Sequence, residues 1–596
     1  MSLERTGRGG GRGIRAWLRY GLYILVFGCI FLALGAEEPY QGLLGAVVCL
    51  WAGNMLYALE RLRERILFFW LHITLFTFLI GRPVITALRG QQWWDYGHDN
   101  VLFALISLLL TQIFLALGAF LGQQRALRLR VRGQEALELR GPQEALELRR
   151  LRGGPQGPLK LQGSRLGALR RQRTAEDAAW EERGFARAFR YYLGYVSQIV
   201  FYSSLVFTFM LGREKIVYIA DHTYYEYFAK FKSQLPYIVY ELSTLTRYSL
   251  CFFLAGLPKK RRAFPALSLY VLAAVPELIV GERNPIVLRT IFALSYYVLR
   301  DLYRESDPPG RGSGSRPEPV SSPPGRGARA RSQPDRSQTA ARSQPDRGSG
   351  RAALEREGRS GPGGPPWIGR LEKAALLAGI PCGLVFLGMM NYVREGGGGR
   401  RLGFFGAIVD LFYKQGVSFQ WLALGHGVIP ELPGDGASHY TFGSFIDYFA
   451  HGSVAQRFFG AVPLGSNNSL AKATLGHSLA HHMSYLLMGP EEYLAGHGCG
   501  SSYLLELFID YGYLGICVFS LGLGYLLLLG PELARRRPFF LTLLLLCMTN
   551  LFLIPRAEAM GFLSFVLTMQ FWAAAAICCG GALLLSRRFY PRKGRL

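Results

Sequence analysis

Long, almost uncharged apolar blocks recur along this sequence and constrain its fold more than any other feature. Residues 22–34, 101–121 and 541–554 are examples. A helix needs about 20 apolar residues to cross the hydrocarbon core of a bilayer, whereas a core helix of a soluble protein has a polar face as well. Several such blocks in one chain exclude a soluble fold. They predict an all-α polytopic membrane protein.

The distribution of these blocks predicts about twelve membrane-spanning helices. The expected spans lie at roughly 18–36, 41–59, 66–88, 101–122, 191–212, 236–256, 264–280, 285–303, 371–393, 502–529, 538–554 and 562–585. A length of 596 residues would otherwise suggest several soluble domains. Here it indicates one bundle of membrane helices with inserts.

Two polar inserts and one long loop divide the bundle into groups. The expected regions are N-terminal helices 1–4 over 1–122, a basic insert over 123–186, helices 5–8 over 187–303, a second insert over 304–369, helix 9 over 370–393, a large loop over 394–501, and helices 10–12 with a tail over 502–596. The second insert consists mainly of Gly, Pro, Ser and Arg. Such a composition buries too little apolar surface to offset its ordering entropy, so we expect disorder there.

Short basic loops indicate which side of the membrane each segment occupies. Arginine and lysine are concentrated near the N-terminus, in the loops at 60–65, 258–262 and 535–537, and in the C-terminal tail. With twelve spans, these loops, both termini and both inserts fall on one side, which the positive-inside rule makes cytoplasmic. The large loop, rich in Gly, His and aromatic residues, then lies on the extracytoplasmic side.

The charge and the cysteines exclude several other classes of protein. A net charge of +26 would suit nucleic-acid binding, but most of the excess lies at the ends of expected spans, where it orients the protein and meets anionic lipid. The nine cysteines include no CxxC pair, so neither a zinc ribbon nor a redox pair is predicted. No small-residue cleavage site follows the first apolar run, which indicates an uncleaved first span.

Several arginines lie on the side of the membrane that the positive-inside rule disfavours. Arg283 is in a short GERNP turn between two expected spans, and Arg556 is in an equally short turn. Arg82, Arg213 and Arg247 lie at or within the outer halves of other spans. A guanidinium binds phosphate bidentately, so two or three of them would bind a diphosphate. Snorkelling or pairing with lipid phosphates would also explain arginines here, above all Arg82 and Arg213.

Two histidines lie near the end of the large loop. His477 and His481 are four residues apart and would share one face of a helix. Zinc uses such spacing, but neither an HExxH motif nor a third ligand is evident, so we predict no metal. A structural role, an acid/base role and a phosphate contact all remain open for each histidine.

Alternating glycines and two carboxylates follow in the sequence. Gly496, Gly498 and Gly500 would permit a close approach of the backbone to a ligand, although the lysine of a P-loop is missing. Glu506 and Asp510, four residues apart, then enter span ten. Carboxylates in a membrane helix are costly unless they are paired or functional. Pairing with the helix N-terminus or a role in helix packing is the alternative.

Three segments of this sequence resemble the Wzy-type polysaccharide polymerases, which polymerise lipid-linked O-antigen or capsular repeat units. They are GERNPIVLRTIFALSYYVLRD at 281–301, the pattern GxGxGSSYxxELxxDxGYxG at 496–515, and the Pro-Arg pair at 555–556. The general plan, many spans with one large outer loop before the last few, is also similar and covers most of the chain. Both inserts depart from the compact plan of the family.

This resemblance implies a metal-independent membrane glycosyltransferase with a fold similar to the GT-C enzymes and with no cofactor. Its substrates would be undecaprenyl-diphosphate oligosaccharides on the outer face of the bacterial cytoplasmic (inner) membrane. A growing glycan would move from its lipid carrier onto the terminal sugar of a new repeat unit. A flippase and a chain-length regulator are the implied partners. The expected outer loops contain no DxD motif, and no nucleotide-binding fingerprint is present.

The resemblance also suggests roles for individual residues. Arg283 and Arg556 are the first choices for binding the diphosphate, with Arg247 as a third. The acceptor hydroxyl needs a nearby base. Side chains of a suitable type are Glu506, Asp510, His477 and His481.

Two alternatives stay open at this point. An O-antigen ligase or another lipid-donor glycosyltransferase would carry out the same chemistry on a different acceptor. A lipid-oligosaccharide flippase or another transporter belongs to a different class, but transporters commonly contain inverted repeats, and none is visible here. The sugar, the linkage, the chain length and the oligomeric state do not follow from the sequence.

Overall fold

The computed structural model describes residues 10–138, 163–222, 226–227, 230–305, 404–433, 439–465, 468–535 and 537–589. All regular secondary structure in these residues is helical, which confirms the all-α prediction. Expected span 371–393 and nearly all of the second insert lie outside the described residues.

The first part of the chain forms eight helices. They are α1 (Gly10–Leu34), α2 (Tyr40–Glu60), α3 (Ile66–Leu88), α4 (His98–Glu138), α5 (Gly163–Asp221), α6 (Tyr237–Ala255), α7 (Lys260–Val280) and α8 (Asn284–Glu305). Helix α3 contains a π-helical turn over Phe76–Ile80. Helices α4 and α5 extend well beyond the expected spans and into the first predicted insert.

Ten further helices follow. They are α9 (Phe404–Gln415), α10 (Val417–Gly427), α11 (Gly443–His451), α12 (Ser453–Phe459), α13 (Leu470–Thr474), α14 (Leu479–Met488), α15 (Pro490–Leu494), α16 (Tyr503–Ala534), α17 (Pro538–Leu551) and α18 (Met569–Phe589). The described part of the predicted large loop thus consists of short helices. Its extracytoplasmic location stays a prediction.

Eight helices in the described residues are long and apolar enough to cross a membrane. They are Trp17–Leu34, Tyr40–Glu60, Ile66–Leu88, His98–Arg132, Gly184–Asp221, Lys260–Val280, Tyr503–Ala534 and Met569–Phe589. Each matches one of the twelve expected spans. Helix α17 is shorter, with 14 residues. The figure of twelve stays a prediction.

Two expected spans, 236–256 and 285–303, are helical but too polar to be among the candidate membrane-crossing helices. They form α6 and α8, where Arg247 and Arg289 interrupt the apolar sequence. Both arginines line a cavity. A helix that borders a polar cavity within a bundle does not need a fully apolar surface, which explains the departure from the expected composition.

Glycines bring α4 and α16 into close contact. A Cβ atom added at Gly118 would lie 2.0 Å from the carbonyl oxygen of Leu521, and one at Gly524 would lie 2.2 Å from that of Leu115. Small residues allow membrane helices to approach until their backbones touch. Helix α16 is therefore packed against α4 of the first helical group.

Charged side chains join three segments at one end of the bundle. Arg130 on α4 contacts Glu64 at 2.9 Å and Glu532 on α16 at 2.7 Å. The loop after α2 and the end of α16 therefore lie together. This placement agrees with the expectation that the basic loops at 60–65 and 535–537 share one side.

Candidate active site: a cation-lined cavity

A cavity of about 1250 Å³ lies among α5, α6, α7, α8 and the segments that border α17 and α18. Its basic lining residues are Lys215, Lys232, Arg247, Arg283, Arg289 and Arg556, and its acidic ones are Glu277 and Glu282. Hydroxyl and amide side chains, among them Thr208, Ser243, Asn284 and Asn550, contribute to the lining as well. Six basic residues against two acidic ones give the lining an excess of positive charge, which favours an anionic ligand.

The turn between α7 and α8 positions Arg283. Helix α7 ends at Val280 and is capped by Gly281, whose φ of 104° lies in the left-handed region that glycine tolerates best. The backbone N–H of Glu282 donates to the carbonyl oxygen of Glu277 at 2.8 Å, which closes the turn. Only 9% of Arg283 is exposed. The sequence GERNP therefore fixes a carboxylate and a guanidinium on the cavity wall.

A turn after α17 positions Arg556. Ile554–Arg556 form one turn of 3₁₀ helix, and Nη1 of Arg556 donates to Oε1 of Gln415 at 3.4 Å. Gly500 lies alongside, since a Cβ added there would be 3.8 Å from Nε of Arg556. The structure thus places one of the predicted loop glycines next to one of the predicted arginines.

Helix α6 carries Arg247 into the same cavity. Its Nη2 donates to the hydroxyl of Tyr248 at 2.8 Å, and that hydroxyl lies 2.9 Å from Oγ1 of Thr568. The guanidinium also lies 4.8 Å from the centre of the Tyr248 ring. Arg247, Arg283 and Arg556 come from separate segments of the chain and line one cavity.

Several charged residues on the cavity wall were not predicted from the sequence. Oε1 of Glu277 lies 3.7 Å from Nζ of Lys215 and 3.8 Å from Nη2 of Arg289. Nη1 of Arg289 donates to the carbonyl oxygen of Tyr270 at 3.1 Å. Glu282 and Arg289 both belong to the segment GERNPIVLRT, so both could have been named as candidates from the sequence. Lys215 lies in a helix where only the fold shows which face is polar.

Glu282 lies on the cavity wall, and the pKa of its carboxyl group is raised. Burial raises the pKa of its carboxyl group, the nearby charge of Glu277 raises it further, and Lys215 opposes both. A carboxylate with a raised pKa holds a proton more strongly, so it is a better general base than an ordinary glutamate.

The two predicted carboxylates of α16 do not line the cavity. Glu506 is fully buried, and it accepts hydrogen bonds from Oγ of Ser501 at 2.7 Å and from the backbone N–H of Ala559 at 2.8 Å. Asp510 accepts from the backbone N–H groups of Tyr440 and Thr441, at 3.1 and 2.7 Å. These bonds attach two connecting segments to α16.

The two predicted histidines also lie outside the cavity lining. Nδ1 of His477 is 2.9 Å from Oδ1 of Asp447, and Nδ1 of His481 is 3.0 Å from the hydroxyl of Tyr493. Burial lowers the pKa of His481 to about 4, so its ring is neutral at pH 7. Ser478 donates to Oε1 of Glu558 at 3.0 Å. A role of either histidine in proton transfer stays a prediction.

The three predicted loop glycines differ in their backbone conformation. Gly496 and Gly500 have φ angles of 99° and 79°, which L-residues with a side chain rarely adopt. Gly498 has no such angle, and a Cβ added there would meet Oγ of Ser484 at an ordinary 3.5 Å. Glycine is therefore required by the backbone at two of the three positions. Contact with a ligand stays a prediction for all three.

A model of a known protein family matches most of the chain. The family model of the O-antigen polysaccharide polymerase Wzy matches residues 20–133, 161–307 and 359–588. No curated protein and no solved structure matched the chain. Since the match covers most of the sequence, the chain belongs to the O-antigen polysaccharide polymerase Wzy family. The resemblance inferred from the sequence is confirmed.

Family membership defines the general function. The chain is a polymerase of polysaccharide repeat units, a multi-pass protein of the inner membrane that acts on lipid-linked oligosaccharides. The matched segments include Arg247, Arg283 and Arg556. The family match leaves out 134–160 and 308–358, and both stretches fall within the two predicted inserts.

Proposed function

We propose that the cation-lined cavity binds the diphosphate of an undecaprenyl-linked glycan during repeat-unit polymerisation. The observation that carries this proposal is that Arg247, Arg283 and Arg556, from three separate segments, line one cavity. Each charged hydrogen bond to a phosphate contributes roughly 1.5–3 kcal/mol. Short turns hold Arg283 and Arg556, so little conformational entropy is lost when they bind an anion.

The proposed reaction is a glycosyl transfer. The oxygen of an acceptor hydroxyl forms a bond to the anomeric carbon of the donor glycan, and the bond from that carbon to the diphosphate oxygen breaks. The bonding electrons leave with the lipid diphosphate, and the hydroxyl proton passes to a base. Positive groups fixed around the departing oxygen stabilise its growing charge. Six basic side chains on the wall supply such charge, which supports a metal-independent mechanism.

Our first choice for the proton-accepting residue is Glu282. It lies on the cavity wall and has a raised pKa, whereas the four bases suggested by the sequence lie outside the lining. Glu506, Asp510, His477 and His481 are the alternatives.

The orientation and the partners belong to the same proposal. The charge distribution of the loops supports cytoplasmic termini and a reaction on the outer face of the membrane. A flippase would deliver the lipid-linked repeat units to that face, and a chain-length regulator would limit the product.

The proposal is tested by reconstitution. The full-length protein in nanodiscs would receive lipid-linked repeat units in the presence of EDTA, and the products would be separated by gel electrophoresis. A ladder of lengthened, lipid-linked chains is expected. Activity that requires added divalent metal, although the EDTA-treated protein is still folded, would refute the metal-independent mechanism. Transfer onto a different acceptor without lengthening would indicate a ligase.

A further inference from the structure

Three side chains with metal-binding chemistry converge between α11 and α14. Asp447 and His451 lie one turn apart on α11, and His477 lies just before α14. One ligand atom from each lies within 4.8 Å of the others. In the part of the chain that the structure describes, no other group of three such residues comes this close. None of the three lines the cation-lined cavity.

Hydrogen bonds define the surroundings of both imidazoles. Nδ1 of His451 lies 2.9 Å from the carbonyl oxygen of Val462, and Nδ1 of His477 lies 2.9 Å from Oδ1 of Asp447. A carbonyl oxygen only accepts, so Nδ1 of His451 donates a proton and its Nε2 keeps its lone pair, and histidines that bind metals commonly have this support from a carbonyl behind the ring. His477 and Asp447 face each other through Nδ1 and Oδ1, so a metal ion would take the place of the proton between these two atoms, which is released on binding.

The carboxylate of Asp447 completes a set of ligands that suits zinc. Its Oδ1 accepts from the backbone N–H and from Nδ1 of His477, at 2.8 and 2.9 Å, and Oδ2 is the second oxygen of the group. Two imidazoles and one carboxylate with a water molecule are a common tetrahedral zinc set. Bond lengths of about 2.1 Å require ligand atoms about 3.4 Å apart, so these side chains would draw together on binding.

We propose that Asp447, His451 and His477 bind one Zn²⁺ ion that fastens α11 to the turn before α14. The ion would join two positions 30 residues apart in a segment built of short helices. Such a cross-link stabilises the fold because it reduces the conformational entropy of the unfolded segment. Its role is structural. Glycosyl transfer in the separate cavity does not use it, so removing the ion lowers stability and leaves the chemistry of the folded enzyme intact.

The site is tested by metal binding to the full-length protein in nanodiscs. The protein is purified without a polyhistidine tag, treated with a chelator and equilibrated with Zn²⁺. Zinc affinity is measured by competition with a chromophoric chelator, and the melting temperature is recorded with and without zinc. His451→Gln and His477→Gln should each weaken zinc binding at least about 10-fold and abolish the zinc-dependent rise in melting temperature.

His497→Gln is the matched control. His497 belongs to the same part of the chain and faces a carboxylate, Glu492, at 3.4 Å, but it is not in the cluster. This variant should retain the zinc affinity of the wild type. Unchanged zinc affinity in both His451→Gln and His477→Gln would overturn the proposal.

Cobalt substitution of the wild type gives a second readout that does not depend on the folding of a variant. The described residues include eight free cysteines, which are an alternative set of ligands. A Co²⁺ spectrum typical of tetrahedral nitrogen and oxygen coordination supports the proposed site. A sulfur-to-cobalt charge-transfer band, or no binding at all, contradicts it.

Discussion

The cation-lined cavity and the segment from His477 to Gly515 both concentrate polar residues, but their polar groups face different surroundings. In the cavity, Arg283, Arg556 and Glu282 lie on the wall of a volume large enough for a ligand. In the second region, Glu506 and Asp510 are occupied by backbone N–H groups and a hydroxyl. A dense sequence motif therefore marks a region where connecting segments are attached, next to a cavity built mainly by other helices.

The largest expected effect is the loss of polymer in cavity variants. Arg283→Ala or Arg556→Ala should abolish chain lengthening, because each removes a positive charge from the proposed diphosphate site. Protein level and membrane insertion should persist. Gel analysis of the polysaccharide measures the effect, with Arg213→Ala as the control because Arg213 is exposed on α5 and does not line the cavity. Long-chain polymer in either variant would contradict the assignment.

A second large effect is expected for the proposed base. Glu282→Gln should lower kcat by about 10²–10⁴-fold with little change in KM. Only the deprotonated carboxylate accepts a proton, so wild-type activity should fall as the pH drops through the raised pKa of Glu282. The rate of Glu282→Gln should lack this acidic decline. The pH profile of kcat separates this role from a structural one, and an unchanged profile in the variant would exclude Glu282 as the base.

A moderate loss of stability is expected in the second region. Asp510→Ala removes the acceptor of two backbone N–H groups, at a cost of about 1–3 kcal/mol. The melting temperature should fall, while the remaining folded protein still makes polymer. If Asp510→Ala instead abolished polymerisation at a wild-type melting temperature, the carboxylate would act in the reaction, and the distinction between the two regions would fail.

A smaller effect is expected where the two regions meet. Gly500→Ala places a side chain at a φ of 79°, next to Arg556. The strain is of order 1 kcal/mol. Activity and the equilibrium constant for folding should therefore decrease by a few fold at most. Gly498→Ala is the matched control, because its added Cβ makes only an ordinary contact with Ser484. Equal effects of the two substitutions would exclude backbone strain as the cause.

The smallest effect is expected for the second insert. Deletion of about 310–365 should leave the polymer unchanged, because nearly all of this stretch lies outside the residues that match the family. The variant is compared with the wild type at equal protein level by gel analysis of the polysaccharide. Loss of polymer from a well-expressed deletion variant would show that the insert takes part in the function.

Much of the fold and part of the site could be predicted from the sequence. Long apolar blocks indicated the membrane helices, and arginines in short turns indicated Arg283 and Arg556. Lys215 and Arg289 were missed because their position on the cavity wall depends on how α5 and α8 pack, which hydropathy does not reveal. The hydrogen bond from the N–H of Ala559 to Glu506 could not be predicted, because the two residues are 53 positions apart in the sequence.

The most direct test of the diphosphate site is the affinity for a short-chain polyprenyl diphosphate. Binding would be measured for the wild type, the Arg283→Ala/Arg556→Ala double variant and the Arg213→Ala control in nanodiscs. Loss of two charged contacts should weaken binding at least about 100-fold, with Arg213→Ala unchanged. Equal affinity of the double variant and the wild type would contradict the assignment of this cavity to the lipid diphosphate.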